Sequence, residues 1–337
     1  MTGYVTLMPQ HFVIPKSRDL VAALAASGVR IRTESLEELP RSGLAHRHWL
    51  LRGRGLVLRV PILPDAAKTL ERQASIFRRA AASGHTPALH AILRPSRHLP
   101  AGALLVEAVG GRIPRVPEDL PALATALAAI HDLKLPRSKT PVPAALEPFA
   151  ATLALIEQNL KRGAAALTPE LRTLLEGERH WARQFARENA KALRVAPRSL
   201  IVTDAHPRNF LIAAEGKAIC LDLERGQYAC PAIDLAHAIL PIAVAWGRSG
   251  ERLNSADHRR FLDVYLRERG PRAARALRPW LRPFARLITL RTTAAYAAFK
   301  ASSAERVLGP EARALAHKAI IHTLDAERLA KVFAAVR

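Results

Sequence analysis

Between Ser199 and Ala238 the chain reads SLIVTDAHPRNFLIAAEGKAICLDLERGQYACPAIDLAHA, and no other stretch limits its possible folds as much. Three short β-type runs, 199–202 (SLIV), 210–213 (FLIA) and 218–221 (AICL), stand close together, and Gly216 sits in the AAEGK turn between the last two. On the N-terminal side, residues 150–194 carry helical periodicity without strand signals; beyond Pro231 the chain reads as helix almost to Arg337. The second part is therefore mostly helical with a small β insert.

The first part is mixed. Residues 17–29 (KSRDLVAALAASG) read as a short amphipathic helix closed by Gly28. Residues 47–60 (RHWLLRGRGLVLRV) read as a hairpin, two apolar runs joined by Arg52-Gly53-Arg54-Gly55. Helical patterns follow at 66–83, with Gly84 as its C-cap, and at 119–131; between them 103–109 (ALLVEAV) reads as a strand stopped by Gly110-Gly111. The Pro-rich segment 133–149 reads as a connecting loop.

The β insert carries the residues with chemistry. Asp204 and Asn209 lie in one loop, with Pro207, between two apolar runs, and Asp222 ends the next run. Strand ends project side chains into a common cleft, so these three can converge. Two carboxylates and an amide oxygen are hard ligands that suit Mg²⁺. A carboxylate left off the metal can accept a proton from an attacking hydroxyl. Phosphoryl transfer needs such a set: a metal clamp and an aspartate that positions the nucleophile. Taken singly, Asp204 and Asn209 also read as turn residues and Asp222 as a surface strand-end carboxylate; their joint spacing with Asp234 favours a site.

Composition excludes several classes. With 337 residues and a 49% hydrophobic fraction, the chain buries a large core as one two-lobed unit or two domains; aromatics at 5% make that core lean on Leu, Ala, Val and Ile. The start, MTGYVTLMPQHFVIPKSRD, lacks the pattern of a signal peptide, and the most apolar stretch, Leu235 to Trp246, is too short to span a membrane. Cys220 and Cys230 form neither a disulfide framework nor a zinc site. The net charge of +22 suggests nucleic acid or an anionic surface. Yet its arginines are spread along the chain, and no aromatic-interleaved basic strand is present to stack bases. The expectation is a cytoplasmic protein with neither a membrane nor a nucleic-acid partner.

The segment Val202 to Asn209 (VTDAHPRN), followed by Leu221-Asp222-Leu223-Glu224 and Asp234-Leu235-Ala236, resembles the aminoglycoside phosphotransferase and choline kinase family. Its catalytic loop has the form H-G-D-x-H-x-x-N, then I-D-[WF]-E and a D-L-A helix start. The resemblance implies a protein kinase-like bilobal α/β fold, a small antiparallel sheet lobe (1–108) binding nucleotide and a mainly helical catalytic and substrate lobe (109–337). It implies an ATP- and Mg²⁺-dependent kinase acting on a hydroxyl of a small molecule such as a sugar, amino alcohol or aminoglycoside-like metabolite. Asp204 would be catalytic, Asn209 and Asp222 would hold Mg²⁺, His206 would brace the loop and Asp234 would anchor it. Upstream, 42-SGLAHRHWLL-51 resembles the phosphate-covering loop, placing Gly43 against phosphate, and Arg59 fits the basic position on the third strand. The helix 70–84 would partner Arg59 through Gln73, and the hinge 104-LLVEAVGG-111 would meet adenine through the backbone of Glu107 to Val109.

The chain departs from the pattern at Val202-Thr203 (His-Gly in the family), Arg59 (commonly Lys), Gln73 (Glu), Ala45 (Ser) and His46 (Asn). These changes motivate an alternative, a nucleotide-binding or scaffolding pseudokinase; the intact Asp204, Asn209 and Asp222 argue against it. Simpler readings stand beside the specific ones. Asp234 reads as an N-cap, His131 as a packed helix-end histidine, Glu224 as a substrate contact or a solvated loop carboxylate, and Trp246 and Trp280 as core.

Overall fold

The computed structural model describes residues 15–40, 45–62, 67–144, 147–240, 253–302 and 310–336. Gly43 and Trp246 lie outside them. Strands β1 (Leu36–Glu38), β2 (His46–Leu51), β3 (Leu56–Pro61), β4 (Leu89–Leu93) and β5 (Ala103–Glu107) form one antiparallel sheet in the order β1-β2-β3-β5-β4. β2 and β3 are the expected hairpin, and Gly53 (φ 72°) and Gly55 (φ 62°) supply the left-handed conformations its turn requires. The edge strands β1 (LEE) and β4 (LHAIL) are too short and too weakly patterned to be read from sequence.

Alternation along the strands sorts residues between the two faces of this sheet. Trp49, Leu51, Leu58, Val60, Ala103 and Leu105 join Leu20 and Leu24 of α1 (Ser17–Ala26) in one core. Leu104 and Val106 turn the other way and pack with Leu70, Ala74 and Phe77 of α2 (Leu70–Ala81) in the main core. His46, His48 and Arg59 fall on that second side, and His48 stands directly opposite Arg59 in the β2–β3 register. The sheet thereby turns these three residues toward the helical lobe.

The helical lobe contains α3 (Leu120–His131), α4 (Pro148–Arg162), α5 (Pro169–Glu188), α6 (Ala190–Arg194), α7 (Ala232–Ile239), α8 (Ser255–Ala301), α9 (Pro310–Thr323) and α10 (Ala326–Val336). α8 breaks at Gly270 (φ 76°), and Pro271 opens its second segment. This helix packs against α3, α4 and α7, and Phe284 and Leu287 continue the main core. No helix among the described residues is long and apolar enough to cross a membrane. Cys220 and Cys230 are buried and free.

The β insert consists of two ladders, β6 (Ser199–Ile201) with β9 (Gln227–Ala229), and β7 (Phe210–Ile212) with β8 (Ala218–Cys220). The sequence pattern does not reveal β9, yet its pairing with β6 folds the loop 221–226 back over the 202–209 loop. Gly226 permits this path: a Cβ there would lie 2.6 Å from Ile76 Cγ2 on α2, so only glycine lets the loop run this close to the other lobe.

Candidate active site

The 202–209 loop is fastened from beneath by Asp234. Asp234 sits in the first turn of α7 and is fully buried. Its Oδ2 accepts from Val202 N at 2.7 Å and its Oδ1 from Thr203 N at 2.8 Å. His131, at the end of α3, donates from Nε2 to Oδ2 at 3.0 Å, and its Nδ1 then accepts from the Tyr265 hydroxyl at 2.8 Å. Because α7 begins at Ala232, Asp234 is not its N-cap; the carboxylate serves the loop instead of its own helix. His131 is more than a packed histidine, since it holds the residue that holds the loop.

Thr203, which replaces the family's glycine, explains why so much bracing is present. Its φ is 73°, the left-handed region that a β-branched residue avoids. Every polar group of Thr203 is engaged: Asp234 takes the N–H, Arg291 donates to the carbonyl at 3.4 Å, and Gln227 donates to the hydroxyl at 3.2 Å. A strained residue persists where its surroundings over-determine it.

Asp204 follows immediately, its side chain 31% exposed. Burial pushes its carboxyl up, but the positive charges around it, His206, Arg225 and Arg291 among them, leave it below the ordinary range. The group is thus ionised, which suits a residue that orients a hydroxyl. Asn209 closes a 3-10 turn, Pro207–Asn209, and its amide donates to Asp204 O at 2.8 Å while its own carbonyl accepts from Leu221 N at 2.8 Å. These bonds set Asn209 beside the chain that carries Asp222. Burial raises the Asp222 carboxyl, Glu224 and Asp204 add repulsion, and Arg59 opposes them. Among the described residues no group of three or more His, Cys, Asp or Glu side chains gathers to hold a metal unaided. Two oxygen donors still fit Mg²⁺, which usually completes its shell with waters and substrate phosphates.

Arg59 reaches this floor from the sheet. It is 9% exposed, lies 5.3 Å over the Phe77 ring, and donates to Leu221 O at 3.1 Å. Its hydrogen bond therefore goes to the chain before Asp222 and not to Gln73, which donates instead to Thr69 Oγ1 at 2.9 Å. Glu224 is not a simple solvated carboxylate, since one of its oxygens is already engaged: His46 Nδ1 lies 2.9 Å from its Oε2. Burial pushes Glu224 up, but the His46 contact and nearby arginines bring it down to about 2. His206 braces the loop through its backbone, its carbonyl accepting from Asn209 N at 2.9 Å; in its side chain, Nδ1 has no partner among the described residues and Nε2 stands 4.0 Å from Asp204 Oδ1. Three buried nitrogens on the sheet's cleft face, His46 Nε2, His48 Nε2 and Arg59 Nε, have no partner among the described residues, which fits a face that meets a polar ligand.

At the hinge, Glu107 N bonds to Ala88 O and Ala108 N to Gly55 O, while the exposed Glu107 carboxylate accepts from Ala88 N at 3.1 Å. Val109 N–H and C=O take no partner among the described residues. A groove of about 470 Å³ begins just beyond, lined by Gly110, Gly111, Arg112 and Ile212.

The sequence reading missed His237 and Arg291, both near Asp204. His237 lies one residue past the D-L-A run, and Arg291 lies in a helical stretch with nothing local to mark it.

A model described as the phosphotransferase enzyme family matches residues 37–284. No curated protein matches the chain. Among solved structures, a choline/ethanolamine kinase family protein from Mesorhizobium loti is 20% identical over 95% of this chain and 99% of its own, with a TM-score of 0.61. The Plasmodium vivax ethanolamine kinase Pv091845 is 12% identical over 93% and 89%, TM-score 0.61. The ADP-bound aminoglycoside phosphotransferase APH(2'')-Ib is 15% identical over 93% and 98%, TM-score 0.56. At these identities the likeness establishes the kinase-like fold.

Proposed function

The chain belongs to the phosphotransferase enzyme family, and on that premise we propose that it transfers the γ-phosphoryl group of ATP to a hydroxyl of a small molecule, a sugar, amino alcohol or aminoglycoside-like compound. The observation that carries this reading is the single constellation of an ionised Asp204, the Asn209 amide bonded to its backbone, and Asp222 under Arg59.

The acceptor oxygen bonds to the γ-phosphorus as the bond from that phosphorus to the β–γ bridging oxygen breaks. ADP leaves, and the hydroxyl proton passes to the Asp204 carboxylate. A low-pKa carboxylate orients the hydroxyl from the start and takes its proton late in the step. Asn209 and Asp222 would hold Mg²⁺, which supplies charge neutralisation on the phosphates when bound. Arg59 would steady the α- and β-phosphates by donating in bidentate fashion. Val109 would take the adenine edge. The lobes then divide labour near residue 108, nucleotide on 1–108 and catalysis with acceptor recognition on 109–337. Use of ATP and two free, buried cysteines fit a reducing compartment, the cytoplasm.

A nucleotide-binding module without turnover remains the second reading, favoured by the hydrogen bond that already occupies Arg59. The test is ADP release with Mg-ATP across a panel of polyols, amino alcohols and aminoglycosides, with Asp204→Asn as control. Acceptor-dependent release lost in Asp204→Asn supports the kinase. Nucleotide binding without release on any acceptor supports the second reading.

A further inference from the structure

We propose that His237 is a positioning residue for Asp204, held in one tautomer by Arg291. The proposal rests on the reading of Asp204 as the group that receives the acceptor hydroxyl. His237 lies near the end of α7 and is 5% exposed; Arg291 comes from α8. Arg291 Nη2 donates to His237 Nε2 and reaches Thr203 O as well. A guanidinium carries only N–H donors, so Nε2 has to be the bare, accepting nitrogen. A neutral imidazole then keeps its proton on Nδ1. That nitrogen faces Asp204 Oδ1 at 3.7 Å. Burial, and after it Arg291, hold His237 well below the usual histidine range, so the ring stays neutral.

A carboxylate has two equivalent oxygens and can turn about its Cβ–Cγ bond to offer either. A neutral donor aimed at Oδ1 fixes the plane of Asp204 and reserves Oδ2 for the acceptor hydroxyl. A cation in the same place would hold the carboxylate more tightly and blunt its basicity. The 3.7 Å separation exceeds a hydrogen bond, and contacts of this kind shorten in the productive complex. His206 Nε2 stands 4.0 Å from the same oxygen, but its Nδ1 has no partner among the described residues, so nothing fixes its tautomer. Arg291 thus couples two tasks, bracing the strained Thr203 turn and setting the proton of His237.

The test uses the full chain and Mg-ATP hydrolysis with water as acceptor, read as ADP release. His237→Phe lowers kcat about 10- to 100-fold, the scale of a misplaced catalytic group, with KM for ATP and the Mg-ATP-induced rise in Tm unchanged. Arg291→Met does the same. His237→Asn, whose amide N–H can stand in for Nδ1–H, recovers most of the loss. Equal losses in His237→Asn and His237→Phe, or a loss confined to KM for ATP, overturn the proposal. Independently of turnover, ¹⁵N-histidine spectra assign the proton of His237 to Nδ1 in the wild type and to a tautomer mixture in Arg291→Met. An Nε2–H tautomer or an imidazolium in the wild type also overturns it. If the wild type fails to bind Mg-ATP, or Asp204→Asn hydrolyses as fast as the wild type, the kinase reading fails instead, and the spectra still decide the tautomer.

Discussion

Asp234→Asn changes one atom and tests how the catalytic loop is held. The carboxylate accepts three hydrogen bonds, Val202 N and His131 Nε2 at Oδ2 and Thr203 N at Oδ1. An amide has one accepting oxygen. Its best orientation keeps the two bonds at Oδ2 and turns an N–H toward Thr203 N–H. The variant then loses one charge-assisted bond, worth about 1.5–3 kcal/mol, and leaves a buried N–H unsatisfied, costing about 1–3 kcal/mol. With partial overlap the sum is about 3–5 kcal/mol, the usual penalty for breaking a buried charged partnership. Against a total stability of about 5–15 kcal/mol this is a large share. At about 2 °C per kcal/mol for a chain of this size, the melting temperature falls by roughly 6–10 °C. Thermal unfolding by circular dichroism measures it. A fall under about 1 °C, within the range of ordinary surface substitutions, refutes the claim that Asp234 fastens this loop.

Two further predictions concern neighbouring residues. Thr203→Gly stays within about 1 kcal/mol of the wild type, because relief of left-handed strain offsets the lost Gln227 contact and the freer unfolded chain. Thr203→Val keeps the strained φ, drops the hydroxyl and loses about 1 kcal/mol more; equal Tm values for the two variants would show that φ at this position carries no strain. His48 lies among Arg59, His46 and Glu224, and its folded pKa is lowered to about 3 by burial, then by Arg59 and His46. The unfolded chain binds a proton near pH 6.5 that the folded chain refuses, so stability is lost as pH falls from about 6.5 toward 3. The Tm of the wild type should therefore fall relative to His48→Gln by the equivalent of about 1–2 kcal/mol between pH 6.5 and 5. A pH-independent difference between the two would contradict the burial argument.

The parts of the fold that the sequence discloses are those with local signatures. The hairpin shows through its glycine-rich turn, the helices through their periodicity, and the Asp204, Asn209 and Asp222 set through spacing that one loop and one strand end impose. What stays hidden is set by tertiary pairing. β1, β4 and β9 are each five residues or shorter and are held by their neighbours rather than by their own pattern. Gln73 occupies the helix position expected to face Arg59, yet the short path from the sheet to Leu221 O captures the guanidinium first. The His46–Glu224 contact joins residues from opposite lobes, and neither residue marks the other in sequence. His237 and Arg291 acquire their roles only because α8 passes behind the Thr203 turn.

The reading of the cleft as a nucleotide site is tested most directly by calorimetric titration of ATP into the wild type and Asp222→Asn, with and without Mg²⁺, alongside the melting temperature. The expected result is Mg²⁺-dependent binding by the wild type and a Tm rise equivalent to about 2.7 kcal/mol when ATP stands a hundredfold above its Kd, both lost or strongly weakened in Asp222→Asn. No heat of binding and no Tm change in the wild type at millimolar Mg-ATP would contradict it.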